Sequence, residues 1–439
     1  MITKTQKELA GWAMEYALRN GCRAASISVY NNSTTSFEVC NMKIDRLQQA
    51  SENGLGIQLF VDGRYASIST NRLDKSELER FIKNGIESTR YLAEDLARTL
   101  PETSLYYKGG LPDLQLYDSK FADLQPDDKL ANAMRACDEI MDKDKHVVSS
   151  SSSYSDGDAF SYRITSNGFE GEAAASNFSI YAEASIKGDG DARPSAYWYE
   201  TSLFINDLQK DGIGKKALER ALSKLGQNKT ASAQMPMVVD YLNSSHLLSP
   251  VIGAINGSAI QQKNSFMLDK KGQQVFGDKM NIIDEPHLLK SHGARYFDNE
   301  GVATQRRSVF DKGLLNDYYI DTYYAKKMSV QQTISGPSLL TMPLGVKDLT
   351  ELVSSVPKGI LVTGFNGGNC NPTTGDFSYG IEGYLIENGQ TTQPVNEMNI
   401  TGNMLTLWSK LVEAGNDPRL SSNWRIPSLL FDNVDFSGT

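Results

Sequence analysis

The sequence predicts an α+β protein: an N-terminal α+β region with antiparallel sheets flanked by helices, then a β-rich, barrel-like C-terminal domain with inserted helices. Three observations carry that expectation. The order helix, several strands, helix occurs twice before residue 226, and Asx-Gly pairs mark turns between strands. Beyond the polar run Gly226-Gln227-Asn228-Lys229-Thr230-Ala231-Ser232 the composition shifts to glycine-punctuated β structure. Domains are expected over residues 1–110, 111–226 and 233–439, since the 439-residue chain is long for one core.

Thr5 and Glu8 form a capping-box pattern ahead of Leu9, Trp12, Ala13, Tyr16 and Ala17, which recur at helical spacing. Gly21 sits where a left-handed C-cap belongs. In the β-rich stretch that follows, strands over 55–61 and 64–70 flank Asp62-Gly63, a pair suited to a type I′ hairpin. Asp74 then caps a helix whose buried stripe is Leu78, Phe81, Ile82 and Ile86. The second round has a helix carrying Leu130, Met134, Cys137, Ile140 and Met141, then strands from about 147 to 204 turning at Asn167-Gly168. It closes with a helix carrying Ile213, Ala217, Leu218, Ala221, Leu222 and Leu225, stopped by Gly226. This hints at a duplicated architecture without a residue-level repeat. Downstream, strands are expected over 237–240, 308–319 around an Asp311-Lys312-Gly313 turn, 359–363, 383–386 and 428–431. Two helices are expected there, one after Asn243 and one over 402–414.

Composition narrows the function classes. A formal charge of −9 and basic residues clustered only in pairs, such as Lys215-Lys216 and Arg306-Arg307, argue against a nucleic-acid partner. The N-terminus has no apolar signal region, and no segment reaches the roughly 20 apolar residues a membrane span needs. No membrane partner is expected, and the chain reads as cytoplasmic. Cys22, Cys40, Cys137 and Cys370 form no C-x-x-C pair, so neither a disulfide framework nor a zinc ribbon is indicated.

Chemistry-bearing motifs are sparse. Gly188-Asp189-Gly190-Asp191 lacks the spacing and terminal glutamate of a calcium loop and reads as a hairpin tip. No Gly-Lys-Ser/Thr follows the glycine-rich Gly364-Phe365-Asn366-Gly367-Gly368. The serines have no Gly-x-Ser-x-Gly context. With only four histidines, at 146, 246, 287 and 292, a metal centre has few sources of imidazole. His287 and His292 are five apart, but Leu288 stands where a catalytic glutamate would follow the first. On a helix such a pair diverges by roughly 140°. Pro286 makes a helix start there plausible.

The densest motif is Gly367-Gly368-Asn369-Cys370-Asn371-Pro372-Thr373-Thr374-Gly375-Asp376-Phe377-Ser378-Tyr379-Gly380, running on into Gly383-Tyr384-Leu385-Ile386-Glu387-Asn388-Gly389. It resembles the C-terminal signature of the TldD/PmbA family, first called modulators of DNA gyrase. The similarity is dense over roughly 236–431. The TldD branch is a zinc peptidase subunit with a His-Glu-x-x-x-His helix; the PmbA (TldE) branch lacks it. The stretch matching that helix is Ser249-Pro250-Val251-Ile252-Gly253-Ala254, so Ser249, Pro250 and Ala254 stand at the two histidine positions and the glutamate position. The cysteine that completes the zinc site in TldD-type subunits is also missing from the C-terminal segment. Phe297-Asp298-Asn299-Glu300-Gly301 and Asn396-Glu397-Met398-Asn399-Ile400-Thr401-Gly402-Asn403 likewise resemble the PmbA branch.

That resemblance implies a subunit without catalytic residues or metal ligands of its own, with zinc expected only in a TldD-type partner. Unfolded or modified peptides are the implied substrate, and a homodimer is the implied alternative when the partner is absent. Gly367, Gly368, Asn369, Asn371, Gly375, Asp376 and Tyr379 are the candidate peptide-cavity or interface loop. Glycines there permit positive φ and close approach, while Asn and Asp can fix the loop through the backbone. Two other readings compete: a stand-alone peptide-binding or regulatory homodimer, and an enzyme with a relocated site built from His246, His287, His292, Asp284 and Glu285.

Overall fold

The computed structural model describes residues 1–438. The N-terminal part runs α1 (Lys4–Arg19), β1 (Ala24–Cys40), β2 (Lys43–Val61), β3 (Arg64–Thr70), α2 (Lys75–Thr89), α3 (Pro126–Asp138), β4 (Val147–Thr165), β5 (Glu170–Ile186), β6 (Ser195–Ser202) and α4 (Ile213–Leu222). All six strands form one antiparallel sheet in the order β3-β2-β1-β4-β5-β6, so helix, three strands, helix occurs twice with β1 and β4 joined at the centre. Period-2 alternation decides which face is buried. Ile27 and Val29 of β1 pack with Ala10, Ala13 and Ile82 of α1 and α2. Phe37 and Val39, on the same face, pack with Ala136 and Ala217 of α3 and α4. The opposite face carries Ser28, Tyr30, Asn32, Thr34 and Ser36 and has no such core.

Local signals fall close to expectation. Asp62 (φ 49°) and Gly63 (φ 75°) both take positive φ in the β2–β3 turn, and the Asp74 side chain caps α2 by accepting from Ser76 N. The first capping box differs. Thr3 and Gln6 form it, not Thr5 and Glu8, which lie inside α1. The earlier start keeps Ile2 buried against the sheet.

The remaining elements are β7 (Ala233–Val239), α5 (Ser244–Ala254), α6 (Gly257–Gln261), β8 (Ile282–Asp284), β9 (Arg307–Asp311), β10 (Leu314–Leu315), α7 (Thr322–Met328), β11 (Leu340–Thr341), α8 (Leu349–Ser354), β12 (Lys358–Cys370), β13 (Asp376–Glu387), β14 (Gln390–Asn403), α9 (Met404–Ser409), β15 (Leu411–Ala414), β16 (Trp424–Arg425) and β17 (Leu429–Ser437). The order β14-β13-β12-β7-β17 closes on itself through β14–β17 pairing, giving the barrel the sequence anticipated. Met237, Val239, Ile360, Val362, Ile381, Met398, Ile400 and Phe431 fill it, with α5 packed against them through Leu247, Leu248, Val251 and Ile252. A second sheet of short strands, β10-β9-β8-β11-β16, stands beside it.

Two expectations here are corrected. The helix over 402–414 is only α9; β15 takes its end because Leu411–Ala414 pairs with Phe431–Leu429 of β17. The strand over 308–319 is the short hairpin β9–β10, after which the chain leaves the sheet. Among the described residues, no helix is long and apolar enough to cross a membrane.

Candidate functional site

Helix α5 and the β12–β13 hairpin form one unit. The start of α5 is tied to the barrel by Asn243, whose Nδ2 donates to Asp240 Oδ1 at 2.7 Å and to Thr363 O at 2.8 Å. Burial pushes the Asp240 carboxyl up, and the Asn243 bonds act against that shift. One turn into α5, His246 stacks on Phe365 of β12 at 4.4 Å between centroids and meets Tyr379 of β13 edge-on at 4.8 Å. Burial lowers the His246 pKa, so the ring favours its neutral form.

The three motif positions do not converge. Ser249 is exposed, Pro250 is half-buried within the helix, and Ala254 is buried at 2% exposure. Proline also has no N–H to return to the carbonyl one turn earlier. None of the three can supply an imidazole or a carboxylate to a zinc ion. Among the described residues, no group of three or more His, Cys, Asp and Glu side chains could hold a metal ion. His287 and His292 lie in turns, without the helix that Pro286 suggested. Their Nε2 atoms pair separately, with Thr304 Oγ1 at 2.9 Å and Asn177 Oδ1 at 3.0 Å. Burial lowers both pKa values, with nearby Arg425 adding to the effect at His292.

The signature segment is a hairpin and not a loop. Strand β12 continues through Cys370 and β13 begins at Asp376, leaving residues 371–375 as the turn. The glycines that suggested a loop are absorbed as irregularities of register, one lying between Phe365 and Gly368. Gly368 has φ +92°, and a Cβ there would stand 2.0 Å from Ser378 O. A Cβ on Gly380 would stand 2.4 Å from Asn366 O. Gly367 (φ +78°) faces open space.

The turn is fixed from within. Asn371 Oδ1 accepts from Thr373 N at 2.9 Å, and Asp376 accepts from Thr374 Oγ1 at 2.7 Å and Asn403 Nδ2 at 2.9 Å. The Asn403 and Thr374 bonds hold the Asp376 carboxyl below its usual pKa. Gly375 is buried against Phe266, whose N–H donates to Pro372 O at 2.9 Å. Burial pushes the Cys370 thiol up to about 11, with Asp376 adding to it, so it is no ready nucleophile at neutral pH. Tyr379 is buried and pushed up to about 12. Asn366, Gly367, Gly368 and Asn369 are exposed beside it.

The seven signature residues thus lie in one hairpin, and His246 links that hairpin to α5. Phe365 stood outside the candidate set, and His246 entered it only as a relocated metal ligand. The available signal was spacing: His246 precedes Ser249 by three residues, one helical turn.

Models of the PmbA/TldA metallopeptidase domains match the chain in three pieces: domain 1 over residues 25–89, the central domain over 119–225 and the C-terminal domain over 232–438. The metalloprotease PmbA of Escherichia coli O157:H7 is 26% identical, over 99% of this chain and 96% of that protein. A Bacteroides thetaiotaomicron crystal structure, described as a candidate modulator of DNA gyrase, is 63% identical with a TM-score of 0.99, covering 100% of both chains. TldE from Thermococcus kodakarensis shares the fold at 18% identity and a TM-score of 0.85, over 98% of this chain and 100% of that one. With matches extending over most of its length, the chain belongs to the PmbA/TldD metallopeptidase family.

Proposed function

We propose that this chain is a PmbA/TldE-type subunit that pairs with a TldD-type zinc peptidase and has no catalytic zinc site of its own. The observation that carries this reading is the state of α5. At the motif positions it presents an exposed serine, an internal proline and a buried alanine. A zinc hydrolase needs several ligands and a base at once, and this helix offers neither. The work left to the chain is to shape the path by which an unfolded or modified peptide reaches the partner's zinc. The β12–β13 hairpin, with exposed backbone around Gly367 and Gly368 beside the aromatic pair Phe365 and Tyr379, is the surface we assign to that path or to the partner contact.

Metal content tests the reading directly. The chain purified alone and dialysed against zinc is expected to retain far less than one zinc per chain by elemental analysis. Stoichiometric retention would overturn it.

A further inference from the structure

Helix α3 packs on the sheet through Ala133, Ala136 and Cys137, while Asp128, Asn132 and Arg135, spaced four and three residues apart, border a cavity of about 340 Å³. Lys129 of the same helix, Tyr154 of β4 and Lys210 of the connection between β6 and α4 complete its polar lining. Two buried polar groups there have no partner. Tyr154 is fully buried, and its Oη makes no hydrogen bond. Asn132 is only 7% exposed, and its amide makes none among the described residues. Buried polar side chains are nearly always hydrogen-bonded. Two orphans on the wall of one cavity therefore mark a place for a ligand that supplies the missing partners.

Charge decides the class of that ligand. Lys129 is committed to the buried Asp156 at 2.7 Å, and Arg135 to Asp211 at 3.0 Å. The charges left over are one cation, Lys210, and one anion, Asp128. Neither joins an ion pair or a side-chain hydrogen bond among the described residues. A simple anion or cation would satisfy one and be repelled by the other, whereas a zwitterion satisfies both. Leu124, Ala131 and Ile205 add an apolar wall suited to an aliphatic side chain. The volume lies at the low end of the roughly 300–1,000 Å³ of small-molecule sites, so the ligand is small. We propose that this cavity binds a free amino acid with an aliphatic side chain. Its carboxylate meets Lys210, its ammonium meets Asp128, and Asn132 and Tyr154 complete the hydrogen bonds. The site uses no residue of α5 or of the β12–β13 hairpin and stands apart from the peptidase-subunit reading.

Isothermal titration calorimetry of L-leucine into the full chain tests it, with circular dichroism confirming that each variant folds. Leucine is expected to bind with a Kd of about 1 mM or tighter. Isocaproate, which is leucine without its ammonium, and 3-methylbutylamine, which is leucine without its carboxylate, are each expected to bind at least about fivefold more weakly. Asp128→Asn and Lys210→Met are each expected to weaken leucine about fivefold, and Asp128→Asn to leave isocaproate binding no weaker than in wild type. Tyr154→Phe is expected to weaken leucine while leaving the urea midpoint unchanged, since the hydroxyl it removes has no partner within the protein. No binding of leucine, methionine or glycine at about 10 mM would overturn the proposal. So would isocaproate or 3-methylbutylamine binding as tightly as leucine, or leucine binding indifferent to both Asp128→Asn and Lys210→Met.

Discussion

At the scale of single residues, Glu300 couples stability to pH. Its carboxylate accepts from Thr322 N at 3.0 Å and Thr322 Oγ1 at 2.9 Å, but burial pushes its pKa up to about 7, with Asp298 contributing. A carboxyl raised on folding holds its proton better folded than unfolded. Stability therefore falls as pH rises from the unfolded value near 4.5 through about 7, and then levels. The Glu300→Gln variant is expected to lose that slope and to exceed wild type at pH 8 by up to about 3 kcal/mol. Urea denaturation of both proteins at pH 5 and pH 8 measures the difference. A second residue-scale contrast lies in the signature. Gly368→Ala forces a Cβ onto Ser378 O in a positive-φ backbone, whereas Gly367→Ala meets open space. The first is expected to cost about 3 kcal/mol and the second about 1 kcal/mol in the same denaturation experiment.

At the scale of elements, α5 cannot be returned to a zinc helix by restoring its motif. Ser249→His, Pro250→Glu and Ala254→His together place a ring where Ala254 is buried against Ser265, whose Oγ donates to Ala254 O. The triple variant is expected to bind no stoichiometric zinc and to lose at least about 2 kcal/mol of stability; elemental analysis and urea denaturation check both. Elements whose burial is written in their own pattern were legible in the sequence: the stripe Leu78, Ile82 and Ile86 of α2, or Asp62-Gly63 between β2 and β3. Elements decided by distant partners were not. Residues 411–414 read as helix until β17 is placed beside them, and residues 43–53 are exposed on both faces, with only Ala50 half-buried, and give no alternation. The signature read as a loop because glycine bulges and strand pairing cannot be told apart without the second strand. The identities of Ser249, Pro250 and Ala254 are read directly from the sequence, whereas the stacking of His246 on Phe365 joins segments far apart in the chain.

At the scale of the whole molecule, the N-terminal and C-terminal parts are linked by many contacts, among them the ring pairs of Tyr107 and Phe169 with Phe297 and the His292–Asn177 hydrogen bond. Lys224, just beyond α4, donates to Glu382 of β13 at 2.7 Å and to Ser195 O of β6 at 2.8 Å. Arg419 reaches from the barrel side over the Tyr199 ring at 4.0 Å. Lys224→Met leaves Glu382 without its cation in a largely buried place and is expected to cost about 1–3 kcal/mol by urea denaturation. On the proposed reading, that linkage holds two surfaces in fixed relation for a TldD-type partner that performs the chemistry. The most direct measurement of that claim is chelator-sensitive cleavage of an unfolded polypeptide, by this chain alone and then mixed with a TldD-type subunit from the same cell. The account predicts no cleavage from the chain alone and cleavage from the mixture that exceeds the partner's own. Chelator-sensitive cleavage by the chain alone, free of contaminating peptidase, would contradict it.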